Sequence, residues 1–291
     1  MAPIRKAVVP AAGLGTRFLP TTKAVPKELL PILDKPMIQY GVEELADAGV
    51  EHVVLVTSHG KEGLAQFFRP SPELEQRLFD GGAVELAEMV RGISSLAHIT
   101  TVVQEQQLGL GHAVLTAKES IGDEPFIVVL PDDVIVGDVP VSRQMLEVHQ
   151  RYGASVVAVQ EVTREAVGSY GVVDAHEVGK GIYKVRGLVE KPAPEDAPSN
   201  LAVVGRYILM PEVFSCLERT SPGAISEIQL TDGMGLLLEE QPMYALRFEG
   251  TRYDGGTPLG LLKASLEVAL NREDTRDRTL EIIRNLDLEQ P

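Results

Sequence analysis

The sequence predicts an α/β protein with a Rossmann-like, doubly wound, mostly parallel mixed sheet and a smaller α+β portion. Short apolar runs alternate with helical segments up to about residue 130. These runs are apolar on both faces, as strands are when helices cover both sides of a parallel sheet. After about residue 150, strands follow one another without a full helix between them, which indicates antiparallel pairing.

The first half is predicted as four strands separated by helices. A strand at residues 5–10 leads into a loop that continues to residue 22. The Gly81-Gly82 pair breaks the longest helical stretch, and Pro36 and Gly49 bound the first helix. The further elements predicted here are helix 36–48, strand 53–57, helix 61–68, helix 71–96, strand 99–104, helix 111–121 and strand 126–130.

The second half of the chain is predicted to contain five strands and four helices, the last of them near the C-terminus. We expect one domain over residues 1–272, with halves at about 1–150 and 151–272, followed by a C-terminal helical extension at 273–291. The proline-rich residues 193–199 are interpreted as a surface loop and not a domain linker. The predicted strands are 155–160, 171–173, 182–189, 202–210 and 243–248, and the predicted helices are 212–219, 226–240, 258–272 and 277–286.

The composition is that of an ordinary globular protein. Of the 291 residues, 44% are apolar and 24% are charged, which excludes a disordered or fibrous chain. No apolar run approaches the ~18 residues of a membrane span, so we expect no membrane-spanning helix. The single cysteine, Cys216, excludes an intramolecular disulfide and favours a cytoplasmic protein.

The apolar residues 7–15 could be mistaken for a secretory signal, because Arg5 and Lys6 precede them. Pro10 and two glycines interrupt this stretch, and Arg17 follows it directly. We therefore interpret it as a buried strand followed by a glycine-containing turn.

The charge is distributed unevenly along the chain. The net charge is −15, which disfavours nucleic acid and anionic membranes as partners. Residues 1–35 nevertheless carry +4, and the rest of the chain carries −19. A cationic segment on an anionic protein predicts a small anionic ligand held locally, although lysines near a terminus can also serve only solubility.

The loop after the first strand is the strongest functional signal. Residues 11–20 read AAGLGTRFLP, and Lys27 lies ten residues beyond Arg17. Glycines let backbone N–H groups approach an anion closely, and an arginine fork suits phosphate. A dinucleotide-binding loop would need a third glycine at the start of a helix, but Phe18 and two prolines stand there. No P-loop motif is present.

Ordered motifs along residues 5–272 resemble the signature of the nucleotidyltransferases that make nucleoside diphosphate sugars. Among these, the chain is most similar to the bacterial UTP–glucose-1-phosphate uridylyltransferases. The motifs are GLGTRFLPTT (13–22), PKELLP (26–31), DKPMIQY (34–40), GLGHA (109–113), LPDD (130–133), YGVV (170–173), VEKP (189–192), VGRY (204–207), EIQLTD (227–232) and DGG (254–256).

The resemblance implies a fold, a reaction and a set of partners. The fold is that of nucleotide-diphospho-sugar transferases, with nucleotide bound by the first half and sugar by the second. The reaction transfers the uridylyl group of UTP to glucose 1-phosphate and gives UDP-glucose and pyrophosphate. A thymidylyltransferase on the same fold and a non-catalytic nucleotide-sugar sensor are the alternatives. The family also implies a homodimer or homotetramer, for which helix 71–96 is a candidate interface.

The implied chemistry needs positioning and charge, because the attacking group is already an anion. The second pKa of a phosphate monoester is about 6, so no general base is required. By resemblance, Arg17 holds the β- and γ-phosphates, Lys27 lies near the α-phosphate, and Lys191 pairs with the sugar phosphate. The family also implies Mg²⁺, held by Asp132 and Asp254, and Asp132 is expected at the carboxyl end of a strand.

The remaining site residues are divided between the two substrates. Asp133 is the competing metal ligand, but we interpret it as a strand-end or sugar contact. The other residues implied to bind sugar are Gly171, Glu190 and Val203. The residues implied to bind nucleotide are Ala11, Ala12, Gly13, Gly15, Gln104 and Gly109.

Overall fold

A nine-stranded mixed sheet forms the centre of the computed structural model, which describes residues 3–221 and 227–286. The strands are β1 (Lys6–Pro10), β2 (Pro31–Ile32), β3 (Lys35–Pro36), β4 (His52–Thr57), β5 (His98–Val103), β6 (Phe126–Val129), β7 (Asp133–Val136), β8 (Ser155–Glu161), β9 (Gly171–Gly179), β10 (Ile182–Glu190), β11 (Leu201–Leu209), β12 (Met243–Arg247) and β13 (Thr251–Asp254).

Helices cover both faces of this sheet. The helices are α1 (Met37–Asp47), α2 (Gly63–Phe67), α3 (Pro72–Asp80), α4 (Val84–Ser94), α5 (Leu110–Thr116), α6 (Lys118–Ile121), α7 (Val141–Tyr152), α8 (Val213–Arg219), α9 (Leu230–Glu240), α10 (Pro258–Asn271) and α11 (Glu273–Arg284). Within the described ranges, none of these helices combines the length and the apolar character that crossing a membrane requires.

The strand order is β5-β4-β1-β6-β11-β8-β12-β10-β9. The first four strands of this order are parallel, and β11 runs antiparallel to both β6 and β8. Strands from both halves of the chain therefore share one sheet. The doubly wound mixed fold predicted from the sequence is confirmed, and every antiparallel pair of this sheet includes at least one strand of the second half.

Alternate residues of each central strand enter different hydrophobic cores. Val8 and Val54 pack on one side of the sheet with α5, α8 and α9. Ala7 and Val53 pack on the other side with α1 and α7. Because both sides are covered by helices, these strands are apolar along their whole length.

Several elements were not predicted from the sequence. Helix α7 was missed because only a narrow stripe of its residues is buried. Strands β7 and β13 form a two-stranded ribbon, and β2 and β3 form another, each too short to show an alternating pattern. The helix predicted at 111–121 is two helices, α5 and α6. The predicted start of α9 at residue 226 and residues 287–291 of the predicted extension lie outside the described residues.

A buried ion pair joins α1 to the middle of the sheet. Arg206 on β11 is 1% exposed and donates from Nε and Nη2 to the Glu44 carboxylate, at 2.8–3.1 Å. The amide and the hydroxyl of Ser142 also donate to Glu44, at 3.0 and 2.5 Å. Arg206 Nη1 donates to the carbonyl of Leu130, two residues before Asp132. The pair therefore supports the end of β6, where the functional carboxylate is predicted.

We expect Glu44→Gln to lower the free energy of unfolding by about 3 kcal/mol, because it leaves a buried guanidinium without its counter-charge. Urea denaturation followed by circular dichroism measures this change. Glu161→Gln, which removes the exposed partner of Arg247, serves as the control and should leave stability nearly unchanged. A Glu44→Gln protein as stable as the control would contradict the role assigned to the pair.

Candidate active site

Two adjoining cavities form one cleft beyond the carboxyl ends of β1 and β6. The loop cavity, of about 430 Å³, is lined by residues that include Ala12, Gly13, Lys27, Gln104 and Gly109. The hairpin cavity, of about 550 Å³, is lined by residues that include Arg17, Gly171, Glu190, Lys191, Val203 and Asp254. Four residues line both cavities, namely Leu110, Leu130, Asp132 and Glu227.

The structure therefore brings together nearly all of the site residues predicted from the sequence. Only Ala11 and Gly15 do not line the cleft. Ala11 is buried, and its amide donates to the carbonyl of Val56 at 2.7 Å. Gly15 has φ +65, and a Cβ there would stand 3.1 Å from the Cβ of Lys27. These two residues shape the loop, and Gly15 lets the stem of Lys27 pack closely against it.

A buried ion pair behind the loop was not predicted. The ammonium group of Lys61 donates to both oxygens of Glu28, at 2.9 and 3.0 Å, and to the carbonyl of Ala11 at 2.7 Å. Burial lowers the pKa of Lys61 and raises the pKa of Glu28, and each effect is opposed by the other member of the pair. Because Glu28 is the neighbour of Lys27, this pair ties the backbone of the loop to the segment that carries that lysine.

Lys27 and Asp132 form the ion pair at the junction of the two cavities. The Lys27 Nζ and Asp132 Oδ2 atoms are 2.5 Å apart, and both side chains are mostly buried. Burial disfavours the charge on Lys27, but the Asp132 carboxylate outweighs it and raises the pKa of Lys27. Burial likewise opposes ionisation of Asp132, but Lys27 holds its pKa below the usual value. Both groups are therefore charged at neutral pH.

Asp254 lies beside Asp132 at the end of the β7–β13 ribbon. A Cβ built on Gly256 would stand 3.0 Å from Asp254 Oδ1 and 3.2 Å from Asp132 Oδ2. The glycine therefore leaves open a space that both carboxylates border. Within residues 3–221 and 227–286, no group of three or more His, Cys, Asp or Glu side chains could hold a metal ion. Two carboxylates suit Mg²⁺, which takes few protein ligands and completes its shell with phosphate oxygens and water.

Asp133 is engaged by protein groups on both carboxylate oxygens. Arg252 Nε donates to Oδ1 at 2.6 Å, and the amide of Gly205 donates to Oδ2 at 2.9 Å. Arg252 also donates to the hydroxyl of Tyr170. The structure thus shows Asp133 anchoring β7 to β11 and β13, and its contact with a sugar stays a prediction.

The β9–β10 hairpin supplies the groups at the far end of the cleft. Gly171 pairs with Glu190 across this hairpin, and a Cβ on Gly171 would stand 3.2 Å from Glu190 Oε2. Thr231 donates to the same oxygen at 2.7 Å, and Lys191 Nζ lies 3.2 Å from Glu190 Oε1. Lys191 has φ +45, an uncommon backbone conformation for a residue with a side chain. The turn after β10 therefore directs a carboxylate and an ammonium group into one space.

Gln104 and Gly109 line the loop cavity, and Arg17 lines the hairpin cavity. Gln104 is 4% exposed, and its amide donates to the carbonyl of Gly109. Gly109 has φ +100, and a Cβ there would stand 2.8 Å from the carbonyl oxygen of Ile228. Arg17 is exposed and reaches across the hairpin cavity, with Nη1 3.5 Å from the carbonyl of Gly256.

Several residues of the cleft or its support received no role from the sequence. Arg252 lies two residues before Asp254, so a search for cations near the motifs could have found it. The phenol of Tyr207 lines the hairpin cavity, and burial raises its pKa. These residues include Lys61, His112, Tyr207, Thr231 and Arg252.

Comparison with known proteins agrees with the geometry. The family model for nucleotidyl transferases matches residues 6–271. The UTP–glucose-1-phosphate uridylyltransferase YngB of Bacillus subtilis is 47% identical over 283 residues, which cover 97% of this chain and 95% of that protein. A UTP–glucose-1-phosphate uridylyltransferase of Staphylococcus epidermidis is also 47% identical, over 99% of this chain and 100% of that protein.

Solved structures give the same result. A UDP-glucose pyrophosphorylase complexed with UDP-glucose superposes with a TM-score of 0.85 at 44% identity, over 92% of this chain and 100% of that one. A UTP-bound enzyme of the same kind from Acinetobacter baumannii superposes with a TM-score of 0.90 at 37% identity, over 98% of this chain and 100% of that one. The resemblance found in the motifs is confirmed, and the chain belongs to the nucleotidyl transferase family.

Proposed function

We propose that this chain transfers the uridylyl group of UTP to glucose 1-phosphate and releases UDP-glucose and pyrophosphate. The observation that carries this proposal is the Lys27–Asp132 pair at the junction of the two cavities. A nucleotide in the loop cavity and a sugar phosphate in the hairpin cavity would meet there. The relatives at 47% identity carry this activity in their names.

The cations of the cleft would bring the two anions together. An oxygen of the sugar phosphate attacks the α-phosphorus, and the bond from that phosphorus to the pyrophosphate breaks. Lys27 would hold the α-phosphate, Arg17 the leaving phosphates and Lys191 the sugar phosphate. Donors fixed where negative charge develops lower the barrier, because they need no rearrangement during the reaction. The attacking phosphate is an anion at neutral pH, so the site needs no base.

The rest of the cleft would recognise the neutral parts of the substrates. The carboxylate of Glu190 can accept bonds from sugar hydroxyls, and its orientation is fixed by Thr231. Gly171 and Val203 would let the sugar ring approach the backbone. Gln104 and Gly109 would contact the base, and the backbone of Ala12 and Gly13 would lie against the nucleotide. Asp133 holds Arg252 in the lining of the hairpin cavity.

Mg²⁺ is the metal that we propose for this site, with Asp132 and Asp254 as its protein ligands. Their carboxylates border the open space beside Gly256, and hard oxygen donors match the preference of this ion. When bound, the ion would offset the negative charge of the triphosphate.

Two broader properties follow as proposals. Helices α3 and α4 expose Leu74, Leu86 and Met89, which supports a homodimer or homotetramer that buries this surface. The free, buried thiol of Cys216 and the use of a nucleoside triphosphate support a cytoplasmic location.

The proposed reaction is tested by pyrophosphate release from the purified protein with glucose 1-phosphate and Mg²⁺. We expect UTP to be used in strong preference to ATP, CTP, GTP and dTTP. Preference for dTTP would make the protein a thymidylyltransferase. Tight binding of UDP-glucose without release from any nucleotide would indicate a nucleotide-sugar sensor, and either of these results would contradict the proposal.

The metal proposal is tested by Gly256→Ala, since the added methyl group would fill the space between Asp132 and Asp254. We expect the Mg²⁺ concentration for half-maximal rate to rise at least about tenfold, and a chelator to abolish the wild-type rate. Gly92→Ala is the matched control, because a Cβ there meets no atom within 4 Å. An unchanged Mg²⁺ dependence of Gly256→Ala, or full activity in the chelator, would contradict the assignment.

A further inference from the structure

The side-chain amide of Gln104 has one determined orientation. Its Nε2 lies 3.2 Å from the carbonyl oxygen of Gly109, which can only accept a hydrogen bond. The same Nε2 lies 2.9 Å from Nδ1 of His112. Turning the amide over would place Oε1 against the carbonyl, and two acceptors would then face each other. The carbonyl of Gly109 therefore determines which end of the Gln104 amide is the nitrogen and which is the oxygen.

This orientation determines the state of His112. Both N–H groups of the Gln104 amide are donated, one to Gly109 and one to the imidazole. Nδ1 must then accept, so this hydrogen bond selects the tautomer of His112 that carries its proton on Nε2. His112 is the third residue of α5 and is half-buried, so its ring is held by the helix that begins at the cleft.

The carbonyl oxygen of the same amide is left for a ligand. Among the described residues, no group donates to Gln104 Oε1. No side-chain oxygen or nitrogen of the described residues is both buried and without a partner, so Oε1 opens onto the loop cavity that Gln104 lines. The site presents an acceptor to the base and withholds both donors of the amide.

We propose that His112 is a positioning residue that makes the enzyme select pyrimidines with an N3–H group over cytosine. This inference rests on the proposed function, with the base in the loop cavity. Uracil and thymine carry a donor at N3, which Oε1 can accept. Cytosine has a lone pair at N3, which would face the lone pairs of Oε1. An unpaired or opposed polar group in a buried site is how enzymes reject a close analogue.

Without the imidazole acceptor, the Gln104 amide loses one of the two hydrogen bonds that fix its orientation. Only the bond to Gly109 would then oppose rotation, and rotation would turn Nε2 toward the base. The rotated amide can donate to N3 of cytosine. The loss of one hydrogen bond is worth about a factor of ten in an equilibrium. We therefore expect the choice between UTP and CTP to weaken by at least about tenfold when His112 cannot accept.

The test compares His112→Leu with His112→Asn. Leucine removes the acceptor, whereas the side-chain oxygen of asparagine can stand near the place of Nδ1 and accept in its stead. The measured quantity is the ratio of kcat/KM for UTP to that for CTP. We expect this ratio to fall at least about tenfold in His112→Leu and to stay within about threefold of wild type in His112→Asn. Gln104→Met, which has no amide, provides the reference for a site without this selection.

A binding measurement separates this inference from the proposed function. Isothermal titration with UDP-glucose and CDP-glucose gives a corresponding ratio of dissociation constants without turnover, and thermal unfolding confirms that each variant is folded. A wild-type protein that does not use UTP would overturn the proposed function. A wild-type protein that prefers UTP while His112→Leu keeps the full ratio would overturn only the inference. Loss of the ratio in His112→Asn as well would also overturn it, because the acceptor would then not be the cause.

Discussion

The ion pair between Lys27 and Asp132 is the contact on which the rest of the cleft depends. Its lysine comes from the loop segment after β1, and its carboxylate comes from the end of β6. Each partner is held from behind by a second buried pair. The pair of Lys61 and Glu28 fixes the segment that carries Lys27. Arg206, which is paired with Glu44, donates to the carbonyl of Leu130, two residues before Asp132. Such charges are costly to bury, so they are retained where position matters.

This arrangement matches the electrostatic problem of the reaction. Two phosphate-bearing substrates must meet on a protein whose net charge is −15. The cations that would receive them are Arg17 and Lys27, from the cationic first 35 residues, and Lys191, and all three line the cleft. Cations fixed where the phosphates would bind can hold a polyphosphate although the protein as a whole is acidic, because salt screens distant surface charges more than partly buried charges in close contact.

The sequence predicted the parts of the site that depend on local pattern. A glycine loop with two cations after a buried strand identified Arg17 and Lys27, and the carboxyl end of the fourth predicted strand, at 126–130, placed Asp132 at the site. The residues it missed act through contacts between distant segments. Lys61 reaches Glu28 across 33 residues, and Arg252 reaches Asp133 across 119. No spacing rule relates such residues, and the ribbon that joins β7 to β13 is too short to leave a periodic signal.

The central claim is that Lys27 and Asp132 act as a unit at the reacting centre. It is tested most directly by the single-turnover rate of UDP-glucose formation in Lys27→Met, Asp132→Asn and the double variant, at saturating substrates and Mg²⁺. We expect each single variant to be slower by about 10²–10³-fold and the double variant to be no more than about threefold slower than the slower single one. Losses that multiply in the double variant would show that the two groups act independently and would contradict the claim.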